Sequence, residues 1–453
     1  MLLKLGADPN RVNLKGLTPL NKAGPDSDMI KILLRYGADV NAGTKGVLMS
    51  AVEAGDVKTL RIYLENGADC NVPDTSTDSS YRNGFQYSLP KRYPLVIAAF
   101  PPTYGGWDRS TSTEMVKLLL EHGARVDLPV SDEENLIHYL FQHARTSILQ
   151  PLIERPGLDL NIRDQQGRTV FMAACDSHVH SESTEGYVPV EEENRRRAEY
   201  TPAYLLLADS ERYGSSIDYL AVDNGGKHTI MYLLPHWNDK VAERFLPIPG
   251  VKALIRRKDN AGFSPLHYAL RGHRMRACFQ FIKEGDADLL EPDPNGDTAL
   301  HYLCRCNFMS ETQHCLPLMK LFLELGGSIN TRNKLGETPL LTHLASNFQS
   351  HYQISATKCT DNFPFFSNGA DFRAAKNDGE TALHVVARRP ANSGLLPRNA
   401  RGEVDYNTEL FRRLVELGCD PLQEDNKGRT ALDVAAAMGN EGILGLYQRK
   451  KEA

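Results

Sequence analysis

A short phrase recurs down this chain and limits what it can fold into. It reads GFSPLH at 262–267, GDTALH at 296–301, GETPL at 336–340 and GETALH at 379–384, and its skeleton returns as GLTPL at 16–20, GRTV at 167–170 and GRTAL at 428–432. A turn glycine, a hydroxyl residue, then often proline and leucine spell a helix start. Ser or Thr caps the orphan N–H groups, and Pro suits the first helical position. Seven such starts mean one unit used many times.

A second phrase closes the unit: GADPN at 6–10, GADVN at 37–41, GADCN at 67–71, GLDLN at 157–161 and GAD at 369–371, after apolar runs such as 30–36 and 60–64. Its glycine suits a left-handed helix cap, where a side chain would clash. With the TPLH-type and GADVN-type phrases both in place, the chain resembles the ankyrin-repeat family, whose unit is a β-turn followed by two antiparallel helices. The resemblance runs from 1 to 447 with a poorly matching stretch near the middle. It implies an all-α fold, an α-solenoid of about ten to twelve ankyrin repeats with hairpin fingers.

Spacing supports one unit independently of the family. Eight residues separate Asn10 from Thr18, Asn161 from Thr169, Asn330 from Thr338, Arg373 from Thr381 and Leu422 from Thr430. The span from hydroxyl to closing glycine is elastic instead: 21 residues for Ser264 to Gly285, but 28 for Thr298 to Gly326, 31 for Thr338 to Gly369 and 37 for Thr381 to Gly418. Insertions are therefore expected mainly in the turn between the two helices. Residues 1–175 form an N-terminal set of repeats, with a finger insertion at 72–92 and a widened helix-helix turn at 101–113. Residues 176–258 hold a polar, flexible excursion and degenerate repeats, with new starts at TPAYLLLA (201–208) and HTIMYLL (228–234). Residues 259–453 form a C-terminal set, with insertions at 307–314, 346–358 and 389–407. Gly46 stands where a hydroxyl is usual, which costs that helix a cap.

The opening MLLKLGADPN reads as the second helix of a repeat, so the chain is expected either to be a fragment of a longer array or to begin in a frayed segment; the basic end at 449–451 reads as complete. With 52 basic against 57 acidic residues, a nucleic-acid partner held by phosphate neutralisation is not expected. Eight scattered cysteines and the absence of glycosylation sequons fit a reducing, intracellular compartment, cytoplasmic or nuclear. No apolar run approaches the roughly 20 residues that span a bilayer, so no membrane insertion is expected.

His301, Cys304, Cys306, His314 and Cys315 carry metal-ligand residue types, but His301 belongs to the repeated phrase and no paired C-x-x-C knuckle is present, so no metal and no cofactor is expected. His178 and His180 with Glu182 and Glu185 read as a solvated polar loop. No phosphate-cradling loop or catalytic signature occurs, so the chain is not expected to be an enzyme. The resemblance implies a scaffold that binds a protein partner along a concave strip of finger tips and first helices. Its candidate contacts are Asn13 and Lys15, Arg163 and Gln165, Asp259 and Asn260, Asn333 and Lys334, Asn377 and Asp378, and Asp425 and Asn426, with Arg163, Asn333, Asn377 and Asp425 taken as equivalent places. For the Asx members, turn formation through the side chain stands as an equal alternative. Two other readings remain open: the regulatory or sensor portion of a larger signalling protein or enzyme, and an enzyme or metal protein housed at 176–258.

Overall fold

The computed structural model describes residues 2–14, 16–24, 26–43, 46–73, 91–100, 108–132, 134–144, 146–155, 157–176, 203–208, 217–284, 287–305, 308–346, 369–389 and 406–448. The chain divides into two compact units, Met1–Tyr232 and Leu233–Ala453. In both, the described residues are helices joined by tight fingers, and the fingers hold isolated antiparallel bridges such as Arg163 with Thr169, Val222 with His228 and Glu424 with Thr430.

The hydroxyl of the recurring phrase does what its position predicts. Thr18, Thr169, Ser264, Thr338 and Thr430 each accept a hydrogen bond from the backbone N–H three residues on, so an orphan donor of the first turn is satisfied. Gly46 caps Val47–Ala54 with no side-chain bond, as its missing hydroxyl requires. The closing glycines sit at positive φ, +85° at Gly37 and +83° at Gly67, where an L side chain is strained.

In the first unit the helices after the fingers, Pro19–Lys22, Val47–Ala54, Pro94–Ala99, Leu136–His143 and Val170–Cys175, pack on one another in chain order. The helices Ser27–Arg35, Val57–Glu65, Arg109–Glu121, Thr146–Ile153 and Ala203–Ala208 make the second layer. Successive members from Val57–Glu65 onward touch. Leu60, Val96, Ile137, Leu140, Phe171 and Leu207 lie fully buried between the layers.

Two expectations are corrected here. Ala203–Ala208 packs on Val170–Cys175 and on Thr146–Ile153, which makes it the second helix of the Thr169 repeat and not a new start. The stretch from 109 belongs to the helix Arg109–Glu121, capped by Asp108 accepting from Thr111 N–H at 2.9 Å, so the helix begins inside what was expected to be a widened turn.

The second unit repeats the two layers. Pro265–Arg271, Ala299–Arg305, Pro339–Ala345, Ala382–Ala387 and Ala431–Ala437 stack in order, backed by Met275–Lys283, Phe308–Glu324, Tyr406–Glu416 and Glu441–Gln448. The expected insertion at 307–314 is helical from 308, so it lengthens the second helix. His228 makes a finger bridge to Val222, and the helix Thr229–Leu233 follows it. The stretches 74–90, 177–200, 347–368 and 390–405, which hold most of the other expected insertions together with His178, His180, Glu182 and Glu185, lie outside the described residues.

The closing phrase also stitches neighbours together. The Asn41 amide donates to Gly67 O (3.0 Å) and accepts from Asp69 N–H (2.8 Å), and Asn10, Asn71 and Asn330 bond to the next closing phrase in the same two ways. Each repeat thereby fixes the C-terminal turn of the next.

Candidate functional site

The finger and the first helix of each repeat form the face on which the sequence places binding. Counting back from each cap shows how a finger is built. Asp164, Asp223, Asp259, Asp293, Asn333 and Asp425 stand five residues before Thr169, His228, Ser264, Thr298, Thr338 and Thr430. Each turns its side chain inward to accept backbone N–H groups; Asp259, for one, accepts from Ala261 and Phe263 at 3.0 and 2.8 Å. These side chains close the finger, so Asp259, Asn333 and Asp425 are structural members of the candidate strip, and all three are buried.

The next position faces the neighbouring finger. Asn224 donates its amide to Gln165 O (2.9 Å), Asn377 to Lys334 O (2.8 Å) and Asn426 to Asn377 O (3.0 Å). The backbone N–H groups of Asn224, Lys334, Asn377 and Asn426 add a parallel row of bonds to the finger before. Gly336 permits this approach: a Cβ there would meet Asn377 Oδ1 at 2.3 Å and its N at 2.7 Å.

The four residues taken as equivalent are therefore not in one register. Asn333 and Asp425 stand five residues before their caps, Asn377 four and Arg163 six. Arg163 spends its guanidinium on Gly167 O and Val222 O, tying two fingers together. Asn13 closes its own finger by accepting from Leu17 N–H at 3.1 Å. Lys15 lies outside the described residues. Gln165, Asn260, Lys334 and Asp378 are exposed; the first three share the position of Asn224, Asn377 and Asn426, and Asp378, one place later, accepts from Glu380 N–H at 3.1 Å.

The face carries polar side chains that the sequence reading missed. Tyr232, Tyr268 and Tyr302 donate their phenols to Asp223, Asp259 and Asp293 at 2.7 Å each, a nine-residue spacing visible in the sequence three times. Burial, then the bond to the carboxylate, pushes the Tyr232 and Tyr302 phenols above their ordinary range. A second signal is a charge pair eight residues apart: Asp297 with Arg305 at 2.7 Å, Glu380 with Arg388, and, reversed, Arg168 with Asp176 at 3.5 Å. Between fingers, Asn333 donates to Asp297 (2.8 Å), and Lys376 bridges Glu337 (3.2 Å) and Glu380 (3.4 Å). Arg429 pairs with Asp425 at 2.7 Å and holds that carboxyl below the usual carboxylate range.

The histidines of the TPLH phrase are stitches. His301 Nδ1 accepts from Thr298 N–H (3.1 Å), and Nε2 donates to Glu337 O in the next finger (3.0 Å). His267 and His384 do the same toward Glu291 O and Arg429 O. Both His301 nitrogens are occupied, and burial pulls its pKa down. Cys304 is wholly buried. Among the described residues no group of three or more His, Cys, Asp or Glu side chains is placed to hold a metal. Cys306 lies outside them, as do the side chains of His314 and Cys315.

Comparison with known proteins agrees with this geometry. A family model described as ankyrin repeats, three copies, matches residues 1–74. The chain carries ankyrin repeats. Human transient receptor potential cation channel subfamily A member 1 is 24% identical over 286 residues, 60% of this chain and 21% of the channel. Mouse Rabankyrin-5 is 28% identical over 148 residues, covering 31% of this chain and 12% of that protein. The human ankyrin repeat and MYND domain-containing protein 1 is 31% identical over 159 residues, 32% of this chain and 15% of that protein. The ankyrin chain thus spans about a fifth or less of each of these relatives. Ankyrin repeats are in general protein-interaction modules. Among the described residues no helix is long and apolar enough to cross a membrane.

Proposed function

We propose that this ankyrin chain is a non-catalytic scaffold that binds a protein partner along its finger and first-helix face. One observation carries the reading: the ladder of backbone and asparagine bonds locks neighbouring fingers in register, while the exposed finger residues, Gln165, Asn260 and Lys334 four places before their caps and Asp378 and Lys427 three places before theirs, differ from finger to finger. A rigid frame with variable outward positions is what recognition of one particular partner needs, because little ordering entropy is lost on binding. The short matched share of each relative favours a second reading, in which the array is the regulatory portion of a larger multidomain protein.

The test is cross-linking mass spectrometry on the chain with a co-purified partner, followed by the double reversal Lys334→Glu with Lys427→Glu. Cross-links should fall on fingers and first helices, and association should weaken about tenfold, with stability within about 0.5 kcal/mol of wild type because both side chains are exposed. Cross-links confined to the second-helix layer, with binding unchanged in the double variant, would overturn the reading.

A further inference from the structure

Building on the interaction reading above, we propose that in the Leu233–Ala453 unit the finger and first-helix face takes an extended acidic peptide segment, gripped by Arg305, Arg388 and Arg429. The acids and bases of this face are not equally available. The side chains of Asp297, Glu380 and Asp425 are only 7%, 4% and 1% exposed, whereas those of the arginines paired with them, Arg305, Arg388 and Arg429, are 39%, 47% and 40% exposed. At these three pairs what faces solvent is therefore cationic, although the charges balance pair by pair.

Each guanidinium is also held in place. Asp297 binds Arg305 and is itself fixed by Asn333, while Arg305 lies over the Tyr302 ring at 5.5 Å. Glu380 takes both terminal nitrogens of Arg388 and lies 3.7 Å from Arg429. A guanidinium presents five N–H donors in a planar fork, so an arginine anchored on one edge by a buried acid keeps further donors for a second carboxylate. The side-chain entropy that an exposed arginine would lose on binding has already been lost on folding. Exposed Lys334 and Lys427 extend the positive strip on the fingers, and exposed Asp378, Glu424 and Asp433 interrupt it.

Geometry selects the length of the segment. The caps Thr298 and Thr381 belong to repeats separated by one other, that of Thr338, and the helices Ala299–Arg305, Pro339–Ala345 and Ala382–Ala387 pack in that order. At about 8–10 Å per packed helix, Arg305 and Arg388 lie about 20 Å apart along the row. An extended peptide rising about 3.3 Å per residue covers that in about six residues. The partner is thus a strand-like segment with carboxylates about six residues apart.

The experiment is fluorescence anisotropy on the full chain with a labelled Gly–Ser peptide bearing two glutamate pairs about six residues apart, against the same peptide with glutamine or lysine in their place. The glutamate peptide should bind at least about tenfold more tightly than either. The variant R305K/R388K/R429K keeps a cation for each buried carboxylate but loses the fork, and should weaken binding about tenfold with its melting temperature near wild type. R412K/R413K, on Tyr406–Glu416 in the second-helix layer, should leave it unchanged. If the triple variant folds poorly, R388K alone, expected to weaken binding about threefold, carries the test. Equal binding of the glutamine peptide, no loss in the lysine variants, or displacement by a single-stranded oligonucleotide at lower concentration than by unlabelled glutamate peptide would overturn the proposal. The interaction reading itself is judged on the native partner, so it can stand when this acidic preference falls.

Discussion

At the residue scale, polar side chains buried in the stack make stability depend on pH. His343 is fully enclosed, donates Nδ1–H to Cys304 O at 2.9 Å, and burial pulls its pKa from 6.5 to about 4. His138 and His301 are lowered for the same reason. The unfolded chain gains protons below pH 6.5 while folded His343 stays neutral down to about 4, so its contribution is whole above 6.5 and is lost as pH falls through that window. The loss amounts to about 3 kcal/mol for His343. Urea midpoints measured from pH 7 to 4.5 should fall, and His343→Gln, which keeps a donor but does not titrate, should flatten the slope; an equally steep slope would remove His343 as its source. The asparagine stitch gives a second test. Asn41→Ala loses a donor and an acceptor toward the next repeat and should cost about 1 kcal/mol, whereas Asn41→Ser, at the exposed last position of the phrase, should recover only part of it.

At the scale of the element, each helix start is local and each helix position is not. Leu300 and Leu383 are fully buried between the layers, and replacing either by Ala should cost about 2–5 kcal/mol in equilibrium unfolding. A cost under 1 kcal/mol would remove them from the core. The fingers depend on glycine instead of apolar volume. Gly336 sits at φ +77° with Asn377 against it, so Gly336→Ala must strain its own backbone and push the next finger's N–H away. The expected loss is about 1–3 kcal/mol, together with faster amide exchange at Asn377. Unchanged exchange there would separate the glycine from the ladder.

Across the whole molecule, stability should follow nearest-neighbour rules within each unit. In the second unit Pro339–Ala345 touches Ala299–Arg305 and Ala382–Ala387, while Pro265–Arg271 and Ala382–Ala387 stand three steps apart in the row. Leu266→Ala with Leu383→Ala should therefore add within about 0.5 kcal/mol, and Leu300→Ala with Leu340→Ala should not. Strong coupling in the distant pair would mean that the unit folds as one indivisible core.

The sequence by itself determined the helix starts and stops. Hydroxyl caps and left-handed glycines act through bonds three or four residues away, so GETALH and GADVN carry their own geometry wherever they stand. It also carried the missing cap at Gly46. Partnership between segments was decided only by tertiary packing. TPAYLLLA reads as a first helix, and becomes a second one because the neighbouring layer has an open place for it beside Thr146–Ile153. The strip was legible as a location but not as a set of side chains. Asp259 is claimed by its own finger, but which of Asn377, Asn426 and Arg163 faces outward depends on whether the adjacent finger comes close enough to claim it, and that distance is set by the stacking of helices far away in sequence.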